Sequence, residues 1–334
     1  MEGRIPYFRE EGIKEILRDW NVPLDLYQQL KHYYNSTVNH LEILLELFPD
    51  KPWNWSHVSW NPNITWDIVQ AHPEKPWDFH YISRNPKITW EIIQNNPKLR
   101  DSRNISSNPN ITWEIIQATP EIKWDLYYFS ANPNITWDII QSKQPDTWNW
   151  GLISLNPIIT WEIVQAHPEK PWNWSSLSSN PNITWEVVRR HSDNPELPWV
   201  WFYLSCNPNI TWDIISNNPD KPWNKTGISL NPNITWDIIQ RQPTTLWDWY
   251  HISRNSNITW EIVRRHCDHP DKPWNWHSLS KNPNITWEIV QENPDKPWDW
   301  RGLSENPNIT WEIVYTNQDK PWYWPAFSGN KFSR

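Results

Sequence analysis

Glycine is scarce in this sequence: 6 residues in 334, where ordinary usage is about 7%. A coiled β-solenoid, which turns on glycine, and a glycine-rich phosphate loop are both disfavoured by that scarcity. Two cysteines, Cys206 and Cys267, are too few for a disulfide framework and fit a reducing, cytoplasmic setting. There is no apolar run near the ~20 residues of a membrane span. The opening MEGRIPYFREEGIKEILRDW lacks the apolar centre of a secretory signal. Charge is mixed, with a net of −8 and no block of five like charges. Without clustered Lys and Arg, no nucleic-acid partner is expected.

Tryptophan and proline, 32 of each, dominate what is present. Proline at that level could signal disorder, but disordered chains lack aromatics, and here aromatics make up 15%. The tryptophans are periodic. The Trp of "ITW" falls at 66, 90, 113, 137, 161, 185, 212, 236, 260, 287 and 311, in steps of 23 to 27 residues. The unit reads K-P-W-[DN]-W-x-x-[LI]-S-x-N-P-N-I-T-W-[DE]-I-[IV]-Q-x-x-P-[DE]. A fixed period of this length marks an array in which each unit rests on the last.

Within a unit, "ITWDIVQAHP" (residues 64–73) predicts a helix A. Thr65 suits the N-cap and Asp67 the first turn. Ile64 and Ile68, and Trp66 and Val69, share a side, and Pro73 ends the segment. "EKPWDFHYISRNP" (residues 74–86) predicts a helix B, with Pro76 in its first turn and Asn85-Pro86 as its stop. "NPN" is turn chemistry. "ITWEII" is also rich in strand-forming residues, so a β-containing solenoid is the alternative. Against it, residues 68 and 69 are both apolar, which breaks strict alternation. The expected fold is an all-α solenoid of about eleven 24-residue helical hairpins in residues 50–324. Residues 1–49 would form an N-terminal helical cap and 325–334 a C-terminal tail after the twelfth unit is abandoned at Ser328. Helices packing about 8–10 Å apart would give a rod or superhelix with a path on the order of 100 Å.

The strings "NPNITWEIVQENPDKPWDW" and "NPNITWDIIQ" resemble Trp-rich repeat proteins of giant, mimivirus-like DNA viruses, over roughly residues 50–324. The resemblance implies a viral product acting in the host cell or carried in the particle. That family has no assigned chemistry, so no catalytic residue carries over. Residues 1–49 lie outside it.

The recurring tryptophans, Trp77, Trp148, Trp172 and their counterparts through Trp298, read as packing between units rather than as platforms for sugars or bases. Arg100 replaces one of them and marks a weak joint or a recognition feature. The nine "N-I-T" triplets, as at Asn63, Asn110 and Asn134, are formal glycosylation sequons. They read better as turn Asn plus N-cap Thr. The preceding "N-P" Asn, as at Asn61, Asn132, Asn207 and Asn282, can bond backbone groups of the adjoining unit. Two units are longer by three residues. Their Arg189, Arg190, Arg264 and Arg265 are expected in protruding basic loops on one edge. "HCDH" at 266–269 lacks the second pair that a zinc site needs, so no metal and no cofactor are expected.

No catalytic constellation appears, and the chain is expected not to be an enzyme. Two helix-B positions vary freely while the frame stays constant, which is how solenoids present a surface. The candidate partner-binding face is His57, Tyr81, Tyr128, Tyr203, His251 and Arg301, residue types that suit an interface. The expected function is a scaffold for protein–protein interaction. The rivals are a virion component that self-associates end to end and a carbohydrate-binding module.

Overall fold

The computed structural model describes residues 39–332, apart from 101–102, 192–196, 268 and 270. Residues 1–38 of the expected cap lie outside the described residues. Among the described residues every regular element is helical, and the chain is an all-α solenoid. Eleven A helices run from Trp66–Ala71 to Trp311–Thr316, and twelve B helices from Trp55–Trp60 to Trp324–Phe327. The B element of the third unit, Arg103–Ser107, is a 3-10 helix.

Helix A forms where the sequence predicts it. The Thr65 hydroxyl accepts the Ile68 N–H at 3.5 Å, and Asp67 lies in the first turn. Helix B starts later than expected. Pro76 and Trp77 are not in its first turn: Asp78 is the N-cap and the helix is Phe79–Ile82. Asp and Asn compete better for that cap than a Pro-Trp pair. The extended approach also lets the Trp77 indole N–H donate to the His72 carbonyl at 2.8 Å, closing the end of helix A. In the unit where Arg100 stands, a short helix, Pro97–Arg100, takes this stretch and Leu99 is fully buried.

Three kinds of contact join each unit to the one before. Apolar residues at fixed positions, such as Ile64, Val58 and Val69, are at most 4% exposed, each contributing about 1.5–3 kcal/mol on burial. Indoles form recurring triads. Trp172 stacks on Trp137 of the preceding A helix at 5.8 Å and meets Trp150 edge-on at 5.1 Å. Trp274 does the same with Trp236 and Trp249. Finally, the "N-P" amides form a ladder: Asn132 Nδ2 donates to Ser106, Asn108 and Ile111 carbonyls, and Asn231 Nδ2 to Ser205, Asn207 and Ile210. Beside the ladder, a buried serine in the B helices other than Phe79–Ile82 accepts, among the described residues, the N–H of the next unit's N-cap residue. Ser229 Oγ, for example, accepts from Asp248 at 2.8 Å.

The array does not end. Asn61 of the first unit donates to the carbonyls of Ser328 (3.1 Å) and Asn330 (2.9 Å), and Ser328 Oγ accepts the Asn54 N–H at 2.9 Å. Trp53 meets Trp324 edge-on at 5.6 Å, as Trp77 meets Trp55 at 5.1 Å. Residues 325–332 are therefore not a tail. They complete the B helix of a twelfth unit and its turn, with Ser328 and Asn330 in the same roles as Ser59 and Asn61. The A helix of that unit is supplied from the other end of the chain. His40–Leu47 packs beside Trp311–Thr316 on one side, and its Glu42, Leu45 and Glu46 line one crevice with Ile68 and His72 on the other. His40 packs on Phe332 at 5.4 Å, and Asn39 Nδ2 bonds the Asn63 carbonyl at 2.7 Å. The closing junction repeats the bonds of the others, so the operation between units is a rotation of about 30°, twelve to a turn, and the solenoid is a ring.

Its curvature follows from a difference in side-chain size. On the A side, successive hairpins are held apart by indoles. On the B side, Ser and Asn recur between the helices, with Gly at 227 and 302, and the helices pack directly on one another. At Gly227 an added Cβ would lie 2.5 Å from the Phe202 carbonyl oxygen and 2.7 Å from Ser205 Cβ. The more closely spaced row must lie on the shorter arc. The B helices line the inside of the ring and the A helices its outside.

Candidate functional site

Each B helix has four sides. In Trp249–Arg254 the fourth residue, Ile252, is fully buried toward the A row. The fifth, Ser253, reaches the following unit, bonding the Asn275 N–H at 2.8 Å. The third lies on the flank toward the preceding unit, as the Gly227 contacts show. The second and sixth, Tyr250 and Arg254, are four apart and share the remaining side, which on the inner row faces the central opening. Both are exposed, Tyr250 by 42%.

This register re-sorts the residues expected from sequence. Arg301 is a second-position residue and faces the opening. His57, Tyr81, Tyr128, Tyr203 and His251 are third-position residues, leaning over the seam between neighbouring B helices. His57, Tyr81 and Tyr203 stay exposed, while Tyr128 and His251 are half-buried. All six lie on one continuous inner wall but in six different units, so no two adjacent units beyond the first pair contribute. The sixth-position residues were not anticipated. They include Trp60, Arg84, Leu155, Leu230, Arg254 and Lys281. They were missed because free variation singles out the second and third positions of the helix, and the second was not paired with its i+4 neighbour, which shares its face.

The wall is where exposed apolar bulk collects. Among the described residues nine large apolar side chains remain exposed, and seven of them are in B helices: Trp60, Tyr81, Tyr127, Leu155, Tyr203, Leu230 and Tyr250. Single exposed apolar residues are ordinary, but their concentration on one surface is a sign of contact with something else. Several wall residues are held by the next unit's N-cap: Thr226 Oγ1 bonds Asp248 at 3.0 Å, and His277 Nδ1 lies 2.8 Å from Asp299. Burial alone would raise the Asp299 carboxyl, but the Gly302 amide and His277 outweigh it and hold the group below its usual range.

The outer row corrects a second expectation. Arg189, Arg190, Arg264 and Arg265 are not in protruding loops. They lie in the last turns of Trp185–His191 and Trp260–His266, which the longer units extend by one residue. Each pair folds back on its own first-turn carboxylate: Arg189 and Arg190 on Glu186 at 2.9 and 2.8 Å, Arg264 and Arg265 on Glu261 at 2.8 and 2.7 Å. The spacing of three and four residues makes this pairing local, and it offsets one of the two positive charges in each pair. His266, at the start of "HCDH", packs its ring on Trp236 at 4.9 Å.

The sequon asparagines are used structurally. Asn110 Nδ2 donates to the Pro86 and Ile88 carbonyls at 2.8 and 3.1 Å, and Asn134 Nδ2 to Pro109 and Ile111 at 2.8 and 3.1 Å. These form a second amide ladder beside the first. No protein-family model, no curated protein and no solved structure matches the chain.

Proposed function

We propose that the protein is a non-enzymatic scaffold that holds part of a protein partner against the inner wall of its ring. The observation that carries this reading is the contrast between frame and wall. Ser, Asn, Ile and Trp recur at the junctions, while the second and sixth B-helix positions change from unit to unit and carry most of the exposed apolar bulk. The likeness of the repeat strings to giant-virus Trp-rich proteins supports placing it in an infected host cell. Capture from host extract with wild-type protein and with a Tyr127→Ser/Tyr250→Ser variant tests the reading. Loss of the captured species is expected. Identical capture by both would sink it.

A virion component that polymerises end to end is the second reading. It is less well supported, because each end of the array is already covered by the other. Sedimentation at rising concentration separates the two, and a chain that stays monomeric disfavours assembly. A carbohydrate module built on exposed indoles has little to draw on: Trp60 is the one Trp among the described residues with more than half its surface exposed.

A further inference from the structure

The inner wall has two unlike halves. From the fourth unit to the eighth, the second, third and sixth B-helix positions carry no charge in five successive units. They present Tyr127, Leu152, Leu155, Phe202, Tyr203 and Leu230. The other arc carries the charge, as Arg254, Lys281, Arg301 and Arg84 with a single carboxylate, Glu305, which pairs with Lys281 at 2.7 Å and Arg301 at 3.5 Å. Counting those five, the arc is net +3 (four cations less one anion) in a chain of net −8. His57, His80, His251 and His277 lie on the same arc. The acidic caps Asp78, Asp248 and Asp299 keep their charge while accepting backbone N–H groups of His80, Tyr250 and Gly302. They stand at the helix starts, about 9 Å of rise before the sixth position, so the arc has an acidic edge and a separate basic band at Arg84, Arg254 and Lys281.

The opening is narrow. Twelve helices at about 8 Å centres trace a circle roughly 30 Å across. Subtracting one helix diameter of about 10–12 Å leaves an opening on the order of 20 Å. A globular domain does not enter it. An α-helix, about 10–12 Å wide with its side chains, does.

Building on the scaffold reading, we propose that the ring takes an amphipathic helical segment of its partner, with its apolar face on the 127–230 arc and an Asp/Glu-rich face on the arc of Arg84, Arg254 and Arg301. Two-faced complementarity selects this occupant. A single-stranded nucleic acid needs cations along the whole track of its backbone, and five consecutive units supply none at their second, third and sixth B-helix positions. An apolar helix without acidic residues would leave the cationic arc unmatched.

The test is fluorescence anisotropy with full-length protein and labelled peptides of about 20 residues, long enough to form helix. One peptide has Leu/Phe on one face and Glu/Asp on the other. A second has the same composition scrambled, and a third exchanges the acids for Lys. A thymidine oligonucleotide is the fourth probe. The first peptide is expected to bind at least tenfold tighter than the others. Leu155→Ser/Leu230→Ser and Arg84→Glu/Arg254→Glu should each weaken it tenfold or more, with unchanged helical content and melting. Equal binding of the scrambled peptide, or tighter binding of the oligonucleotide, overturns the proposal. If no peptide binds while host-protein capture still depends on Tyr127 and Tyr250, this occupant is wrong and the scaffold reading stands. If capture is also indifferent to those residues, both fall.

Discussion

Asn61 donates its side-chain amide to the main-chain carbonyl of Asn330 at 2.9 Å, across 269 positions, as Asn231 donates to Asn207 at 3.1 Å across 24. The chain makes no distinction between its first junction and its middle ones. That equivalence has measurable consequences.

Asn61→Ala and Asn231→Ala should destabilise the protein alike, by about 2–3 kcal/mol each, because either leaves buried carbonyls without a donor. Urea denaturation reads this directly. In an open solenoid the end junction frays, and a change there costs much less than one in the middle. A near-silent Asn61→Ala would argue against closure.

Trp324 seals the ring against Trp53 and Phe48, with Trp324 and Phe48 centroids 4.8 Å apart, and the fully buried Phe327 packs behind Trp324 at 5.8 Å. Losing a buried aromatic costs about 3–5 kcal/mol. The Trp324→Ala/Phe327→Ala variant should therefore open the ring while the interior units stay folded. Small-angle scattering should show a larger radius of gyration and loss of the hollow-particle signature, with helical content largely kept. An unchanged scattering profile would contradict the assigned seal.

Gly227 and Gly302 should not accept alanine. The added methyl would meet the backbone oxygens of Phe202 and His277 at 2.5 and 2.7 Å, and overpacking of this kind costs about 1–3 kcal/mol. Gly151 faces the opening, where a methyl meets only side chains, Asn149 at 3.1 Å and Asn173 at 4.0 Å. Gly151→Ala should be within about 0.5 kcal/mol of wild type. If all three behave alike in thermal melts, the assignment of seam and wall positions is wrong.

Acid should weaken the ring. Thr112 and Thr160 hydroxyls hold the carboxyls of Glu114 and Glu162 below their usual range, and Arg189 and Arg264 do so for Glu186 and Glu261. Carboxyls lowered by folding contribute stability that is full above about pH 4.3, their unfolded value, and is lost as pH falls through the folded one. Glu42, in the closing helix, has the opposite sign: burial raises it, with Glu46 adding to the shift. Its charged form is disfavoured in the fold, so its penalty is absent at low pH and complete at neutral pH. Glu42→Gln should raise the melting temperature at pH 7, with the gain vanishing below about pH 4.

Glu186 and Glu261 each pair with two arginines on the outer row and offset one of the two charges. Replacing both with Gln removes two negative charges from beside four guanidinium groups. The variant should be retained on heparin to higher salt than wild type while melting at nearly the same temperature, since exposed pairs contribute little to stability. Equal retention would show that the arginines were never masked.

Much of this fold is legible before any coordinates. Thr65 as N-cap, the packing of Trp172 and its counterparts, and the cross-unit bonding of Asn132 all follow from residue type at a fixed period. Closure is less visible because the twelfth unit is made of two unlike pieces. His40–Leu47 has no "ITW" and borrows its burial from Leu41, Leu44 and Leu45. After Lys320-Pro321-Trp322 the periodic trace left at the other end is Ser328-Gly329-Asn330, the same Ser-x-Asn that precedes every turn. Curvature depended on a comparison between rows: indoles outside, Ser and Gly inside. The wall was misread because free variation singled out the second and third helix positions, which brought His57 and Tyr81 forward, while Trp60 and Leu155, four residues after the second position's Ser56 and Gly151, went unpaired with them.

Closure also fixes the number of units. An open solenoid can gain or lose a 24-residue module and merely change length. Here a thirteenth module would require about 28° per step in place of about 30°, at every seam simultaneously, with the glycine contacts leaving no slack on the inner side. Duplication and deletion, the usual ways tandem genes drift, are therefore barred unless they occur in a way that rebuilds the whole circle.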